Sequence, residues 1–422
     1  MVDRLYRGRV GVVFARGIIP FGQFTQIKER LVKVLVLSSL AFSLLNFRGA
    51  LLAELRRQGH DVVAVAPDYD PAVEAGLNAM GIELRIVPMH RTGTNPLKDL
   101  QTLFAYWRLM RKERPDVVLA YTQKPIIYGG IAARLYGKAR FHALMSGLGH
   151  LFSEDARDRV LVRGVFSRLY RAGLKKAVTL FVFNRDDRPD MIAAGIIDER
   201  HRVLQVPGSG VDTQHFVETP VRDGAPIFLM MGRLMRDKGV YDYLEAARIV
   251  QQKYGEVRFQ LLGRPEDSNR TGISEAEVHR LSSEYPVEFL AETRDVRPYL
   301  AGCSVFVLPS FYREGLPRTI LEAMSSGRAV ITTDMPGCRD PIEPGGNGFL
   351  VPPKSPHDLA KAMLKLIENP QLLQLMSRRS REIAEQTYDV KIVNRMLLEA
   401  MDLIMPEDAA QRGQRRTIPV AA

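Results

Sequence analysis

From residue 32 onward the chain repeats one unit: a short apolar run, a polar break, then an amphipathic stretch. VKVLVLS, DVVAVAP, IELRIVP, DVVLAYT, FHALMS and TLFVFN make up a first set of such runs. After VPGSGVD at 206–212 the rhythm restarts with PIFLMMG, VRFQLLG, VEFL, SVFVLPS, AVITTD and FLVP. Runs this short and this apolar read as strands buried on both faces, and the stretches between them carry helical periodicity. Strands alternating with helices require a parallel sheet covered on both sides. A chain of 422 residues also exceeds what one compact core usually holds. The expectation is therefore α/β, with two doubly wound Rossmann-like domains facing across a cleft. Their bounds are 31–210 and 211–388, after an N-terminal extension over 1–30. A helix over 389–405 is expected to return to the first domain, and the tail over 406–422 to be disordered.

No run of eighteen apolar residues occurs; LVKVLVLSSLAFSLL is short and broken by Lys33 and serines. Arg16 splits the N-terminal apolar stretch, so no signal peptide is expected. Cys303 and Cys338 stand in unrelated contexts, which suggests neither a zinc site nor a disulfide and favours a cytoplasmic location. The net charge of +11 is uneven: residues 1–220 hold 32 Lys and Arg against 21 Asp and Glu, whereas 221–422 hold 27 of each. No nucleic-acid-binding motif accompanies that charge, so no nucleic acid is expected. An anionic membrane surface or a polyphosphate ligand fits better. DRVLVRGVFSRLYRAGLKKAV, 158–178, interleaves six cations with large apolar residues. It reads as a membrane-docking helix, an ordinary packed helix being the alternative.

Ligands of open parallel sheets bind where strand ends lead into helix N-termini. REGLPRTILEAMSSGRAVITTDMPGCRD, 313–340, follows the strand SVFVLPS, and its helix starts behind Pro317. Such a start offers backbone N–H groups and a partial positive charge to a phosphate. Glu314 falls on the loop and Glu322 inside the helix, positions suited to sugar hydroxyls. MGRLMRDKG, 231–239, adds Arg233 and Lys238 at the mouth of the same sheet, where they can neutralise a diphosphate. The two segments read together as a nucleotide-sugar cradle.

GRL-x3-KG, followed by E-G-L-P-x5-A-x2-S-G-x-x-V-I-x-T, closely resembles the retaining glycosyltransferases of family 4, which have the GT-B fold; Glu314 and Glu322 match that family's E-x7-E pair. FRGALLAELRRQGHDVVAVAP, YTQKPIIYGG, MSGLGHLF, FVFNRDD, VPGSGVDTQHF and MPGCRD further resemble the subgroup extending polyprenyl-diphosphate-linked sugars, such as the bacillosaminyl-diphosphoundecaprenol N-acetylgalactosaminyltransferases. LLGRPEDSNR is more basic than the family's pattern, and Ala291 stands where glycine is usual.

The resemblance implies a UDP-sugar donor, no cofactor and no metal. Arg233 and Lys238 would hold the donor diphosphate, Glu322 the ribose diol and Glu314 the transferred sugar near its C3 hydroxyl. Gly232, Gly263, Gly315, Leu316, Arg318 and Thr319 complete the expected donor site. Arg48, Thr122, Lys124, Gly147 and Gly149 are expected on the acceptor side, and His150 joins the catalytic candidates as a cleft histidine. His60 reads as structural, and the Asp68/Asp70 pair as turn chemistry. The expected function is transfer of a hexose or N-acetylhexosamine to a polyprenyl-diphosphate-linked saccharide in surface polysaccharide or glycan assembly, by an enzyme peripheral on the inner face of the cell membrane. A soluble small-glycoside transferase, a nucleotide-sugar epimerase of the same architecture and a non-catalytic basic binding protein remain alternatives.

Overall fold

A computed structural model describes residues 31–90, 95–149, 160–267 and 269–404. The extension over 1–30, the tail over 406–422 and His150 lie outside the described residues. The first sheet comprises β1 (Lys33–Leu37), β2 (Asp61–Ala66), β3 (Glu83–Ile86), β4 (Val117–Tyr121), β5 (Arg140–Met145), β6 (Ala177–Val182) and β7 (Val203–Gln205). The second comprises β8 (Ile227–Met231), β9 (Arg258–Leu262), β10 (Glu288–Leu290), β11 (Val305–Leu308), β12 (Ala329–Thr333) and β13 (Gly348–Val351). Their strand orders are β3-β2-β1-β4-β5-β6-β7 and β10-β9-β8-β11-β12-β13, and every pairing is parallel.

Strand order reverses beside β1 in one sheet and beside β8 in the other, and crevices for ligands open at such switch points. The central strands are apolar throughout because helices cover both faces: Val34, Leu35, Val36 and Leu37 are fully buried, as are Val305, Phe306 and Val307. One strand differs from expectation. β7 comes from RVLQV, which the sequence reading assigned to no element, because three residues are too short to show a period.

Two helix starts use the acidic pair. Asp70 Oδ1 accepts from Ala72 N (2.9 Å) and Val73 N (3.3 Å), and Asp68 Oδ1 accepts from Ala41 N (2.9 Å). Both carboxylates therefore cap helices. The final helix, Val390–Met401, packs against Ala41–Arg57 of the first domain. His60 Nε2 meets the Leu403 carbonyl at 2.9 Å, and Arg140 pairs with Asp402 at 3.0 Å, so His60 is structural.

Candidate active site

Two loops leave the carboxyl edge of the second sheet and are laced together. β8 runs into Gly232 and Arg233, then a single 3-10 turn, Arg236–Lys238, before the helix Val240–Lys253. β11 runs into Ser310 and the loop bearing Glu314. The Asp237 carbonyl accepts from Phe311 N (2.9 Å) and Tyr312 N (3.0 Å). Gly239 sits between the loops at φ +80°, where a Cβ would stand 2.1 Å from the Pro309 carbonyl. Gly263 is held as closely: its Cβ would fall 2.0 Å from the Gly232 carbonyl.

This lacing brings Lys238 Nζ onto the Glu314 carboxylate, which also accepts from Ser310 Oγ at 3.1 Å. The ammonium lies 5.4 Å from the centroid of the Tyr312 ring. Arg233 is exposed and makes no hydrogen bond among the described residues. Burial raises the Tyr312 phenol, with Glu314 adding to the shift and Lys238 and Arg233 opposing it. Cys338 is buried nearby, where desolvation and the field of Glu314 push its thiol up to about 12.

Glu322 lies within the helix Arg318–Ser325, whose N-cap is Pro317. Its side chain is 12% exposed and pairs with Arg318 Nε at 2.9 Å. Burial raises the carboxyl to about 7, against the opposing field of Arg318. Arg318 also donates to the Asn46 carbonyl and lies over the Phe47 ring, 5.6 Å from its centroid, so it bridges the domains. Thr319 is half-buried beside it. Leu316 packs against the linker: a Cβ at Gly208 would lie 3.1 Å from Leu316 Cδ2.

The Glu314 loop is pressed directly on the first domain. A Cβ at Gly315 would stand 2.2 Å from the Ser146 carbonyl, one at Gly147 2.6 Å from Gly315 N, and one at Gly337 2.5 Å from the Gly315 carbonyl. Only backbone fits between these three segments. Asn184 Nδ2 donates across the seam to the carbonyls of Glu314 (3.3 Å) and Gly315 (2.9 Å). Arg313 pairs with Asp190, and Arg339 with Asp186 at 3.5 Å.

Comparison with known proteins agrees with this architecture. Residues 225–369 match the family model for glycosyl transferases group 1, and residues 47–207 match that for a glycosyl transferase 4-like domain. This chain belongs to the family 4 glycosyltransferases of GT-B fold. It is 25% identical over 382 residues to the N,N'-diacetylbacillosaminyl-diphospho-undecaprenol alpha-1,3-N-acetylgalactosaminyltransferase of Campylobacter jejuni, covering 87% of this chain and 98% of that one. It is 25% identical over 299 residues to the UDP-Gal:alpha-D-GlcNAc-diphosphoundecaprenol alpha-1,3-galactosyltransferase of Escherichia coli, covering 68% and 74%. Anabaena HepE in complex with UDP-glucose shares the fold, with a TM-score of 0.71, 20% identity and coverage of 88% and 99%.

On the first-domain side of the glycosyltransferase, Thr122 ends β4 at φ +67° with its Oγ1 buried and unpaired. A β-branched residue in the left-handed region costs about 1–3 kcal/mol and persists where the surroundings enforce it. Gly149 is close to the donor loop, since a Cβ there would lie 3.1 Å from Tyr312 Oη. Two cations assigned by sequence to the acceptor are committed elsewhere. Lys124 Nζ is buried on Asp99 Oδ1 at 2.7 Å. Arg48 is buried with its guanidinium over the Tyr121 and Phe183 rings, where desolvation lowers it to about 10.

The structure also redistributes the apolar surface. In the helix Val160–Leu174, Tyr170 and Leu174 are buried and Phe166 and Leu169 half-buried, while Val165 is 52% exposed, so the larger side chains of the expected apolar row are used in packing. The helix Pro96–Glu113 instead buries Asp99, Thr102, Tyr106 and Met110, while Leu97, Leu100 and Phe104 stand 74%, 61% and 54% exposed. Asn184 and Ser310 were missed as site residues. Their motifs, FVFNRDD and VLPS, mark strand ends, but only the fold shows that both reach the Glu314 segment.

Proposed function

We propose that this glycosyltransferase is retaining and metal-independent, and that it moves a hexose or N-acetylhexosamine from a UDP-sugar to a lipid-diphosphate-linked saccharide during surface polysaccharide or glycan assembly. The observation that carries this reading is the Lys238–Glu314 pair with Arg233 beside it, at the switch point of the second sheet and pressed on the first domain. An arriving diphosphate competes with Glu314 for Lys238 and recruits the exposed Arg233. Glu314, thereby released, accepts a hydroxyl of the transferred sugar, and Glu322 accepts the ribose diol.

As the bond from the sugar to the diphosphate breaks, negative charge grows on the leaving oxygen. Arg233, Lys238 and the N-terminus of the helix Arg318–Ser325 stand ready to stabilise it, which is preorganised electrostatics in a partly dry site. A donor phosphate oxygen takes the acceptor proton on the same face of the sugar. Retention then needs no protein nucleophile, and no cofactor enters the scheme.

The acceptor class is supported by the Campylobacter and Escherichia relatives, whose names specify diphosphoundecaprenol-linked sugars. The donor class is supported by the UDP-glucose held by Anabaena HepE. A cytoplasmic enzyme, peripheral on the inner membrane face, would approach such acceptors through the helix Pro96–Glu113. Its exposed stripe of Leu97, Leu100 and Phe104 is flanked by Lys98, Arg108, Arg111 and Lys112, a pairing of apolar and basic groups that suits an anionic lipid surface. Asp99, on the buried side of the same helix, holds Lys124, two residues from Thr122, so the helix adjoins the acceptor loop.

The test is a transfer assay with a panel of UDP-sugars against polyprenyl-diphosphate-linked and soluble acceptors. Activity confined to soluble acceptors would leave the small-glycoside transferase as the better reading, and conversion of donor without acceptor would favour an epimerase.

A further inference from the structure

Outside the site above, the first domain holds a cavity of about 510 Å³ between the helices Val160–Leu174 and Asp187–Ala193. Its walls carry Arg163, Ser167, Arg168, Arg171 and Asp190, and it is closed on one side by Arg313 from the donor loop. Helical spacing puts Arg163, Ser167 and Arg171 on one stripe with Arg168 alongside. Small residues make the room. Gly164 leaves an open floor, with Arg168 Nη1 3.8 Å from where its Cβ would be. Gly195, at φ +65°, lets Arg171 Nη2 lie 3.1 Å from the position of a Cβ.

The charges in this cavity do not cancel. Asp190 is its one acidic wall residue, and it is paired with Arg313. Arg163, Arg168 and Arg171 have no hydrogen-bond or ion-pair partner among the described residues. Guanidinium groups converging on one concavity repel one another until an anion enters, and their planar forks match phosphate oxygens two at a time. The lining has no aromatic or large apolar side chain, so it offers neither a platform for a nucleobase nor a sleeve for a lipid tail. What fits is a bare phosphate or diphosphate group.

We propose that this cavity is a diphosphate site distinct from the donor site, and, resting on the reading under Proposed function, that it holds the diphosphate of the lipid-linked acceptor. Arg313, on the cavity wall, is the residue before Glu314, so the cavity adjoins the donor loop. The three-arginine row of the helix Val160–Leu174 then serves to capture the acceptor head, and the membrane contact belongs to the helix Pro96–Glu113.

The experiment is calorimetric titration of the full chain, saturated with UDP to fill the donor site, with inorganic pyrophosphate and with farnesyl diphosphate. Wild type is compared with Arg163→Glu/Arg171→Glu and with the milder Arg163→Gln/Arg171→Gln. The expected result is binding of both ligands to the UDP-filled wild type, weakened at least tenfold in both variants, with UDP affinity unchanged as the check on folding. In the transfer assay the variants should raise the KM for the acceptor while kcat holds. Because the lining gives the prenyl chain no apolar contact, binding of farnesyl diphosphate comparable to that of pyrophosphate supports an acceptor site, whereas binding of pyrophosphate with exclusion of farnesyl diphosphate overturns that assignment and leaves a site for a free anion. Absence of binding beyond UDP, or equal binding by wild type and variants, overturns the site itself. A protein that binds diphosphates here yet transfers no sugar to any lipid diphosphate would refute the proposed function and leave the site standing.

Discussion

Glu322 ties the ionisation of the site to its affinity for donor. Its carboxyl is raised from the usual 4.5 to about 7 because it is buried, and Arg318 at 2.9 Å only partly offsets that cost. If the ionised carboxylate receives the ribose diol, binding requires a form that the free enzyme half-lacks at neutral pH. Hydrogen bonds to a charged acceptor are worth about 1.5–3 kcal/mol and neutral ones about 0.5–1.5. Protonation should therefore cost about 1–1.5 kcal/mol of donor affinity, roughly tenfold. Between pH 8 and pH 6 the association constant should fall about fivefold, and below pH 6 it should level off near the tenfold limit as the neutral acid takes over.

The titrant in this experiment is a UDP-sugar and not UDP, whose terminal phosphate itself titrates with a pKa of about 6. Linkage supplies a second readout: donor binding at pH 6.5 should release roughly half a proton, visible as a dependence of the calorimetric enthalpy on buffer. Glu322→Gln should flatten the profile and abolish the release. The sign for stability also follows. A carboxyl raised on folding contributes stability that is fully present below the unfolded value of 4.5 and lost as pH rises through about 7. The full span is worth about 3 kcal/mol. Ligand-free wild type should thus gain on Glu322→Gln when acidified from pH 8 to pH 6. A wild-type affinity that is flat from pH 8 to pH 6, or a Glu322→Gln profile identical to wild type, would refute the reasoning.

Glu314→Ala should lower turnover by the worth of a charged hydrogen bond, about 1.5–3 kcal/mol or roughly 10- to 150-fold, while UDP affinity holds or improves because Lys238 is released; equal losses in both would make the pair structural. Steady-state rates in EDTA should change by less than about twofold, since Arg233 and Lys238 are proposed to supply the positive charge; abolition by EDTA and rescue by manganese would assign that role to a metal. Leu97→Asp/Leu100→Asp/Phe104→Asp should abolish co-sedimentation with anionic liposomes, each large apolar side chain being worth about 1.5–3 kcal/mol on burial. Arg163→Glu/Arg171→Glu should still pellet, and the reverse pattern would return the membrane contact to the helix Val160–Leu174. Gly315→Ala should cost about 1–3 kcal/mol in thermal or denaturant unfolding and depress activity, because its Cβ would meet the Ser146 carbonyl at 2.2 Å.

Much of this molecule is readable one segment at a time. Strands buried on both faces must be near-continuous apolar runs, so Val34–Leu37 and Val305–Leu308 announce themselves. The restart after residue 212 announces a second sheet, and the helix behind Pro317 carries its own start signal. The E-x7-E pair and GRL-x3-KG were enough to point to the family. β7 escaped because three residues have no period to detect. What no local pattern could supply is pairing across distance. Lys238 meets Glu314 across 76 residues, Lys124 is taken by Asp99, and Asn184 reaches the Glu314 loop from the other domain. The two amphipathic helices make the same point. Both the Leu97/Leu100/Phe104 stripe and the Phe166/Tyr170/Leu174 row are apolar at helical spacing, and only the neighbours packed against each helix decide which is covered and which faces solvent. Periodicity is a property of a few consecutive residues, whereas burial and charge pairing belong to groups that the fold alone brings together.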